Sequence, residues 1–248
     1  MKNLEWIKTS LIAHRGLHSL DKTIPENSLS AFSKAIEKGY GIEMDINVLK
    51  DGTVVVFHDK DLNRMCRDQR KLKDVEYDDI KDLKLLDTKE KIPILKDALS
   101  LIKGQVPLLI EFKHHGDSLL LCESFIKLIR DYKGLWAMHS FHPKILIWFK
   151  KNHPEVIRGQ ISEYFKSETD LSKLTKYLLK TLSLNFLTKP DFINYGLKDM
   201  PNRYVNRAMR KGLVVIGYAA QTQQELDFVK AHYHNAVFEY FEPKRQTG

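Results

Sequence analysis

Short apolar runs alternate with longer stretches of helical period along the whole chain. The runs fall at Leu11–Ala13, Gly41–Ile46, Leu108–Phe112, Leu135–Ser140, Ile157–Ile161, Asp191–Tyr195, Val214–Ala219 and Ala236–Tyr240. Each is short and flanked by a turn or polar signal, as in parallel strands covered on both faces. Between them, Ser28 to Lys38 puts Leu29, Phe32, Ala35 and Ile36 on one helical face and closes on Gly39. Ser118 to Arg130 repeats the pattern through Leu121, Phe125, Leu128 and Ile129, and Pro143 to Lys151 and Gln223 to Ala231 look similar. Pro143 suits a first helical turn. Strands alternating with helices predict β/α units. Eight such units predict a closed TIM (β/α)8 barrel, with an open doubly wound sheet as the alternative.

Two irregularities interrupt the alternation. A second extended run, Thr53 to His58, follows Lys50-Asp51-Gly52, and Asp-Gly is a strong hairpin signal. The last run lies close to the end of the sequence, so the final helix is expected to be short or missing. The amphipathic start, Leu4, Trp6 and Ile7, is a candidate cover for the barrel bottom.

The chain has 248 residues, close to the roughly 250 of a TIM barrel. No low-complexity run and no linker rich in Gly, Ser or Pro divides it, which predicts one domain over 1–248. The first ten residues hold no secretory apolar core, and no stretch approaches the roughly 20 apolar residues of a membrane span. A cytoplasmic protein is expected. Cys66 and Cys122 are far apart in no ligand-like spacing and read as free thiols in a reducing compartment. The net charge is +8, and Lys60, Arg64, Arg67, Arg70, Lys71 and Lys73 cluster in one segment opposed there by Asp61 and Asp68. Nucleic acid, anionic lipid, a small phosphate ester or plain water all suit such a cluster, and charge alone does not choose.

The acidic residues narrow the choice. In Ile42-Glu43-Met44-Asp45-Ile46 two carboxylates sit two apart in an apolar run. On a strand they share a face. Burying two like charges side by side is costly unless a cation joins them. Glu111 ends Leu108-Leu109-Ile110 in the same setting. Three carboxylates at strand ends form a hard oxygen site suited to Mg²⁺ or Ca²⁺. For the Glu43–Asp45 pair alone, a Lys or Arg partner at the strand terminus explains the pattern equally well.

Histidines shift that balance. His14 ends the first strand in Ala13-His14-Arg15-Gly16, and His58 ends the hairpin strand in Val56-Phe57-His58-Asp59. Strand C-terminal ends converge on one mouth in a barrel. Two histidines there can supply the acid and base of an ester cleavage. Arg15 adds a fork matched to phosphate and Lys113 a second cation. His114 and His115 read as solvent-facing loop residues, and His139 either lines the mouth or packs in the core. His18, His142, His153, His232 and His234 have no evident partner in sequence. There is no nucleotide-binding glycine loop and no nucleophile elbow.

Taken in order, the segments His14-Arg15-Gly16, Pro25-Glu26-Asn27-Ser28, Ala31-Phe32, Gly39, Glu43-Met44-Asp45, Lys50-Asp51-Gly52 and Val56-Phe57-His58-Asp59, with Leu62 and Arg64, resemble the glycerophosphodiester phosphodiesterase signature. Ile92-Pro93-Ile94-Leu95, Glu111-Phe112-Lys113, Ser140-Phe141 and the Gly212 to Thr222 segment continue the resemblance over nearly the whole chain. It implies a TIM barrel with a small insertion after the second strand, here about 59–93. It also implies one divalent metal ion on Glu43, Asp45 and Glu111, acid–base catalysis by His14 and His58, and phosphate contact by Arg15. Lys113 and Asn27 match positions that help build such sites. The chain departs from the family at Tyr218-Ala219-Ala220-Gln221, where Trp-Thr-Val-Asn is frequent, and around Glu239-Tyr240, where Thr-Asp is usual. These departures bear on the alcohol group, and Tyr218 is expected to border the substrate.

Hydrolysis of a small glycerophosphodiester to glycerol phosphate and an alcohol is the expected function. A lysophospholipase D acting on lysophospholipids is the nearest alternative, with Phe165, Phe186 and Leu187 as candidates for its apolar approach. A non-catalytic phosphate- or lipid-binding barrel is a further one. Nucleic acid is not expected as a partner, because the basic cluster lacks interleaved aromatics.

Overall fold

The computed structural model describes residues 2–244. Its nine strands alternate with helices, and all but one are parallel, which makes the fold a TIM (β/α)8 barrel. By contacts the chain forms two compact units, Ile12–Trp136 and a second that joins Met1–Leu11 to Ala137–Gly248. Each has a core cluster of its own.

Helix α1 spans Glu5–Thr9 and buries Trp6 and Ile7. In Ile12–Trp136 the elements are β1 (Ile12–Ala13), α2 (Leu29–Glu37), β2 (Gly41–Val48), β3 (Val54–Val56), α3 (Asn63–Cys66), α4 (Tyr77–Ile80), α5 (Leu95–Ile102), β4 (Leu108–Phe112) and α6 (Ser118–Ile129). β2 lies between β1 and β4, parallel to both, and all eight of its residues are buried. β3 is the antiparallel exception, its Val54–Val56 paired with Ile46–Val48. This hairpin ladder carries β2 two residues beyond the apolar run that the sequence marks. Ser28 caps α2 by accepting from the Ala31 amide, and Asp117 caps α6 through Leu119 and Leu120. Segment 59–93 is an insertion with a small core of its own, in which Leu62, Met65, Leu72, Val75, Ile80, Leu85 and Ile92 pack with Val55 and Phe57.

The second unit continues with β5 (Trp136–Ser140), α7 (Pro143–Asn152), β6 (Arg158–Ser162), α8 (Lys173–Lys180), α9 (Asn185–Thr188), β7 (Phe192–Gly196), α10 (Arg203–Arg210), β8 (Val214–Ala220), α11 (Gln223–His232) and β9 (Asn235–Phe238). β5 to β9 lie side by side in chain order. The Asn235 amide, at the start of β9, donates to the carbonyls of Ile7 (2.9 Å) and Ser10 (2.7 Å). This ties α1 to the N-terminal end of that strand. Among the described residues no helix follows β9. No helix among them is long and apolar enough to cross a membrane.

Candidate active site

Strand register assembles the predicted residues of the first unit. Ala13 lies beside Ile42, so His14 follows level with Glu43, and Asp45 lies directly beside Glu111. Alternation sends Glu43, Asp45 and Asn47 to one face of β2. All three are buried, as are Glu111 and Lys113. The hairpin returns His58 to the same strand end, where the Phe57 amide donates to the Asp45 carbonyl (2.9 Å).

Asp45, which no solvent reaches, is the centre of the cluster. Its Oδ2 accepts from Asn27 Nδ2 (2.8 Å) and lies 3.2 Å from Arg15 Nε. Its Oδ1 lies 2.9 Å from Lys113 Nζ, which also donates to Glu111 Oε1 at 2.5 Å. Asn27 Oδ1 accepts the Asp45 amide at 3.2 Å, so one side chain grips both ends of that residue. Burial by itself would raise the Asp45 carboxyl, but the charges of Lys113, His58, Arg15 and His14 hold it well below the usual carboxylate range. Glu43 Oε2 accepts the Arg15 amide (3.0 Å) and lies 3.9 Å from His14 Nε2. Glu43 and Glu111 present oxygens within 4.8 Å of each other.

The turn after β1 makes this geometry possible. Gly16 has φ +76°, and a Cβ there would stand 2.8 Å from Phe32 Cδ1 and 2.9 Å from the Ala31 Cβ. Only glycine fits, and its amide reaches the Glu43 carbonyl at 3.2 Å. Arg15 and Asn27 are both left-handed, and the Asn27 amide donates to the Arg15 carbonyl at 2.9 Å.

Three residues with no role assigned from sequence complete the network: Glu26, Asp59 and Arg64. His58 Nδ1 is 2.7 Å from Asp59 Oδ1. Arg64 donates to both Asp59 oxygens (2.6 and 3.0 Å) and to both Glu26 oxygens (2.8 and 2.7 Å). Glu26 in turn accepts from Arg15 at 2.7 Å. Burial opposes ionisation of Glu26, yet the Arg64 and Arg15 contacts bring its carboxyl down to about 2. Asp59 is likewise held low by His58 and Arg64 against a burial cost. The motif blocks contain all three, but only the fold pairs them.

The residues present suit a divalent cation. Glu26, Glu43, Asp45, Asp59 and Glu111 face the permanent cations Arg15, Arg64 and Lys113, an excess of two negative charges. Glu43 and Glu111 offer oxygens close enough to share one ion.

Several expectations need correction. His115 is half-buried rather than solvent-facing; burial first, then the charges of His114, Lys113 and His58, push it down to about 4. The basic segment is not opposed by Asp61 and Asp68 alone. Arg64 is committed to Glu26 and Asp59, and Arg67 to Asp87 at 2.8 Å. Cys66 and Cys122 are free thiols as expected, and burial raises both to about 12.

Tyr218 belongs to the second unit. Gly217 points toward Met200 and Val229, on the helix side, so strand alternation turns Tyr218 to the opposite face. Its hydroxyl donates to Glu163 Oε2 (3.0 Å) and its ring meets Phe141 edge-on at 6.0 Å. His139 is buried on β5 with Asn194 Nδ2 3.3 Å from its Nδ1. Phe165 is buried, and Phe186 and Leu187 sit on α9, which leads into the N-terminal end of β7. Phe186 and Leu187 thus lie away from the strand C-terminal ends, whereas Phe165 follows β6 and meets Phe141 edge-on at 6.0 Å.

The profile of the Glycerophosphoryl diester phosphodiesterase family matches residues 14–238. A glycerophosphodiester phosphodiesterase of Caldanaerobacter subterraneus subsp. tengcongensis is 35% identical over 136 residues, 51% of this chain and 54% of that protein. Human glycerophosphodiester phosphodiesterase 1 is 23% identical over 91% of this chain and 76% of its own length. The aligned stretch spans about half the length of the bacterial relative. In fold, the chain is similar to an Oleispira antarctica phosphodiesterase solved with its product sn-glycerol-3-phosphate, with a TM-score of 0.79, 21% identity and 95% of each chain covered.

Proposed function

Because the chain belongs to the glycerophosphoryl diester phosphodiesterase family, we propose that it is a single catalytic domain that hydrolyses glycerophosphodiesters to glycerol phosphate and an alcohol. The buried cluster around Asp45, with His14 level with Glu43 on the neighbouring strand, His58 returned to the same strand end by the hairpin, and an excess of two negative charges, carries this assignment.

Glu43, Asp45 and Glu111 would hold one divalent ion, Mg²⁺ or Ca²⁺. When bound, such an ion supplies Lewis-acid polarisation of a phosphoryl oxygen. Arg15 and Lys113 add fixed positive charge for the phosphate. Arg15 stays protonated, since Asp45, Glu26 and Glu43 outweigh the burial that would lower it. Asn27 positions Asp45 by gripping its carboxylate and its amide.

His14 and His58 act as the acid–base pair. One accepts the proton of the nucleophile, either water or the glycerol 2-hydroxyl; the other gives a proton to the alcohol as its P–O bond breaks. Asp59 orients His58: with Nδ1 donating to Asp59, Nε2 is left for the reaction. Arg64 fixes Asp59 in place and keeps it ionised. We assign the reaction to the cytoplasm, where Cys66 and Cys122 would remain reduced.

Phosphorus NMR of the protein with Mg²⁺ or Ca²⁺ and glycerophosphocholine, glycerophosphoethanolamine or lysophosphatidylcholine tests the assignment. Glycerol phosphate should appear from the first two, with little turnover of the lipid. Turnover of lysophosphatidylcholine alone would replace this function with that of a lysophospholipase D.

A further inference from the structure

Helices α8, α9 and α10 of the second unit share an outer face that is both cationic and apolar. Thr181 at the end of α8, Asn185 and Phe186 of α9, and Tyr204 and Arg207 of α10 line one open cleft of about 560 Å³. Helical spacing extends the face beyond the cleft. Leu174 and Tyr177 lie seven and four residues before Thr181 on the same side of α8. Arg203 and Arg210 flank Arg207 on the same side of α10, while Val205 and Ala208 turn into the core.

Two features set this face apart. Half of the large apolar side chains exposed among the described residues lie on these three helices: Leu174, Tyr177, Phe186, Leu187 and Met209. Phe186 is 70% and Leu174 67% exposed, so neither tip supports the core. The barrel holds the end of α8 through its backbone, since the Leu179 and Lys180 carbonyls accept the hydroxyls of Ser162 and Tyr195 (both 2.9 Å). Charge is the second feature. α8 carries Lys173, Lys176 and Lys180, α10 carries three arginines, and none of the three helices has an acidic residue. The cleft adds Lys189 and Lys211 and is lined by no carboxylate. Lys189, Arg207 and Lys211 form no ion pair among the described residues.

We propose that this face docks the protein reversibly on an anionic lipid bilayer. Apolar tips set between cations match the boundary of a bilayer, where the tips enter the acyl region and the cations meet lipid phosphates. Nucleic acid would leave Leu174 and Leu187 in water, because its bases stack on rings. An acidic protein would need a contiguous apolar core, and cations interrupt this one. Docking of this kind fixes where the chain resides, not which diester it cleaves, and stands whether or not the chain hydrolyses any.

The test is co-sedimentation of the full chain with sucrose-loaded vesicles of phosphatidylcholine alone or of equal parts phosphatidylcholine and phosphatidylglycerol. The native protein should bind the mixed vesicles at least about tenfold more tightly, and added salt should weaken that binding. Leu174→Ser with Phe186→Ser should weaken it by about tenfold or more. Arg207→Gln and Arg210→Gln should each cost about fivefold. Lys71→Gln with Lys73→Gln, in the basic part of the 59–93 insertion, should bind as the native chain does. Equal binding of the two vesicles, or none of either, by the native protein overturns the proposal, and that comparison needs no variant to fold. Native-like binding by the folded serine variant would reduce the contact to adsorption by charge and overturn it too. So would a loss confined to the Lys71 and Lys73 variant. Capture of a DNA duplex by native protein that binds neither vesicle would replace the bilayer with nucleic acid.

Discussion

Asp59→Asn exchanges a carboxylate for an amide of the same shape at a position where every neighbour is a donor. Asp59 Oδ1 faces His58 Nδ1 at 2.7 Å and an Arg64 terminal nitrogen at 3.0 Å, while Oδ2 faces Arg64 Nε at 2.6 Å. Asparagine offers one oxygen. Arg64 cannot give up its protons, so the amide oxygen turns to Nε and the NH₂ takes the other position. There it confronts the Arg64 terminal nitrogen and forces His58 Nδ1 to accept. The proton then moves to Nε2, the nitrogen left for the reaction. Loss of one general acid–base group costs about 10² to 10⁴ in kcat. The lost charge-assisted bond and the new donor–donor contact cost roughly 1–3 kcal/mol of stability. That lowers Tm by about 2–10 °C for a chain of this size. The assay is kcat against pH on glycerophosphocholine with saturating Mg²⁺ or Ca²⁺, beside thermal unfolding. The pH profile should lose one limb while the protein stays folded. A folded Asp59→Asn with kcat within about threefold of the native value and an unchanged profile would refute the role given to Asp59.

Acid titration of the metal-free protein should show stability falling as pH drops from about 4.5 toward 2. The Glu26 carboxyl is depressed on folding from 4.5 to about 2, so its contribution, roughly 3 kcal/mol, is present above the unfolded value and lost through the folded one; a flat unfolding free energy across that range would count against the Arg15–Glu26–Arg64 network. Glu43→Gln should weaken Mg²⁺ or Ca²⁺ binding by at least about tenfold in calorimetry while leaving far-UV circular dichroism unchanged; unaltered affinity would remove Glu43 from the ligand set. Gly16→Ala places a methyl 2.8 Å from Phe32 Cδ1 at a positive φ and should lower stability by roughly 2–4 kcal/mol, measured by urea unfolding. A loss under about 0.5 kcal/mol would mean that the turn relaxes freely.

What the sequence made legible follows from locality. β4 falls on Leu108–Phe112 as its apolar run marks it, and the i, i+2 spacing places Glu43 and Asp45 on one face. His14, His58 and Glu111 could be placed because each ends a strand, and strand ends meet in a barrel. The ion pairs between them were not legible. Arg64 and Glu26 lie 38 residues apart, and Arg64 reads in sequence as one member of a basic surface cluster. His115 reads as a loop residue, because its burial comes from distant elements. Helix α8 carries Leu174, Tyr177 and Leu178 on one helical face, yet none of its residues is buried. Glu163 reads as one acid in a loop, and only its meeting with Tyr218, 55 residues on, gives it a surrounding.

The central claim is that the Glu43–Asp45–Glu111 cluster needs a divalent ion for phosphodiester hydrolysis. Its most direct test is turnover of glycerophosphocholine by protein shown metal-free by elemental analysis, first in excess chelator and then with Mg²⁺ or Ca²⁺ added back. The account predicts no turnover in chelator and recovery with one ion per chain. Full turnover by the metal-free protein in chelator would contradict it.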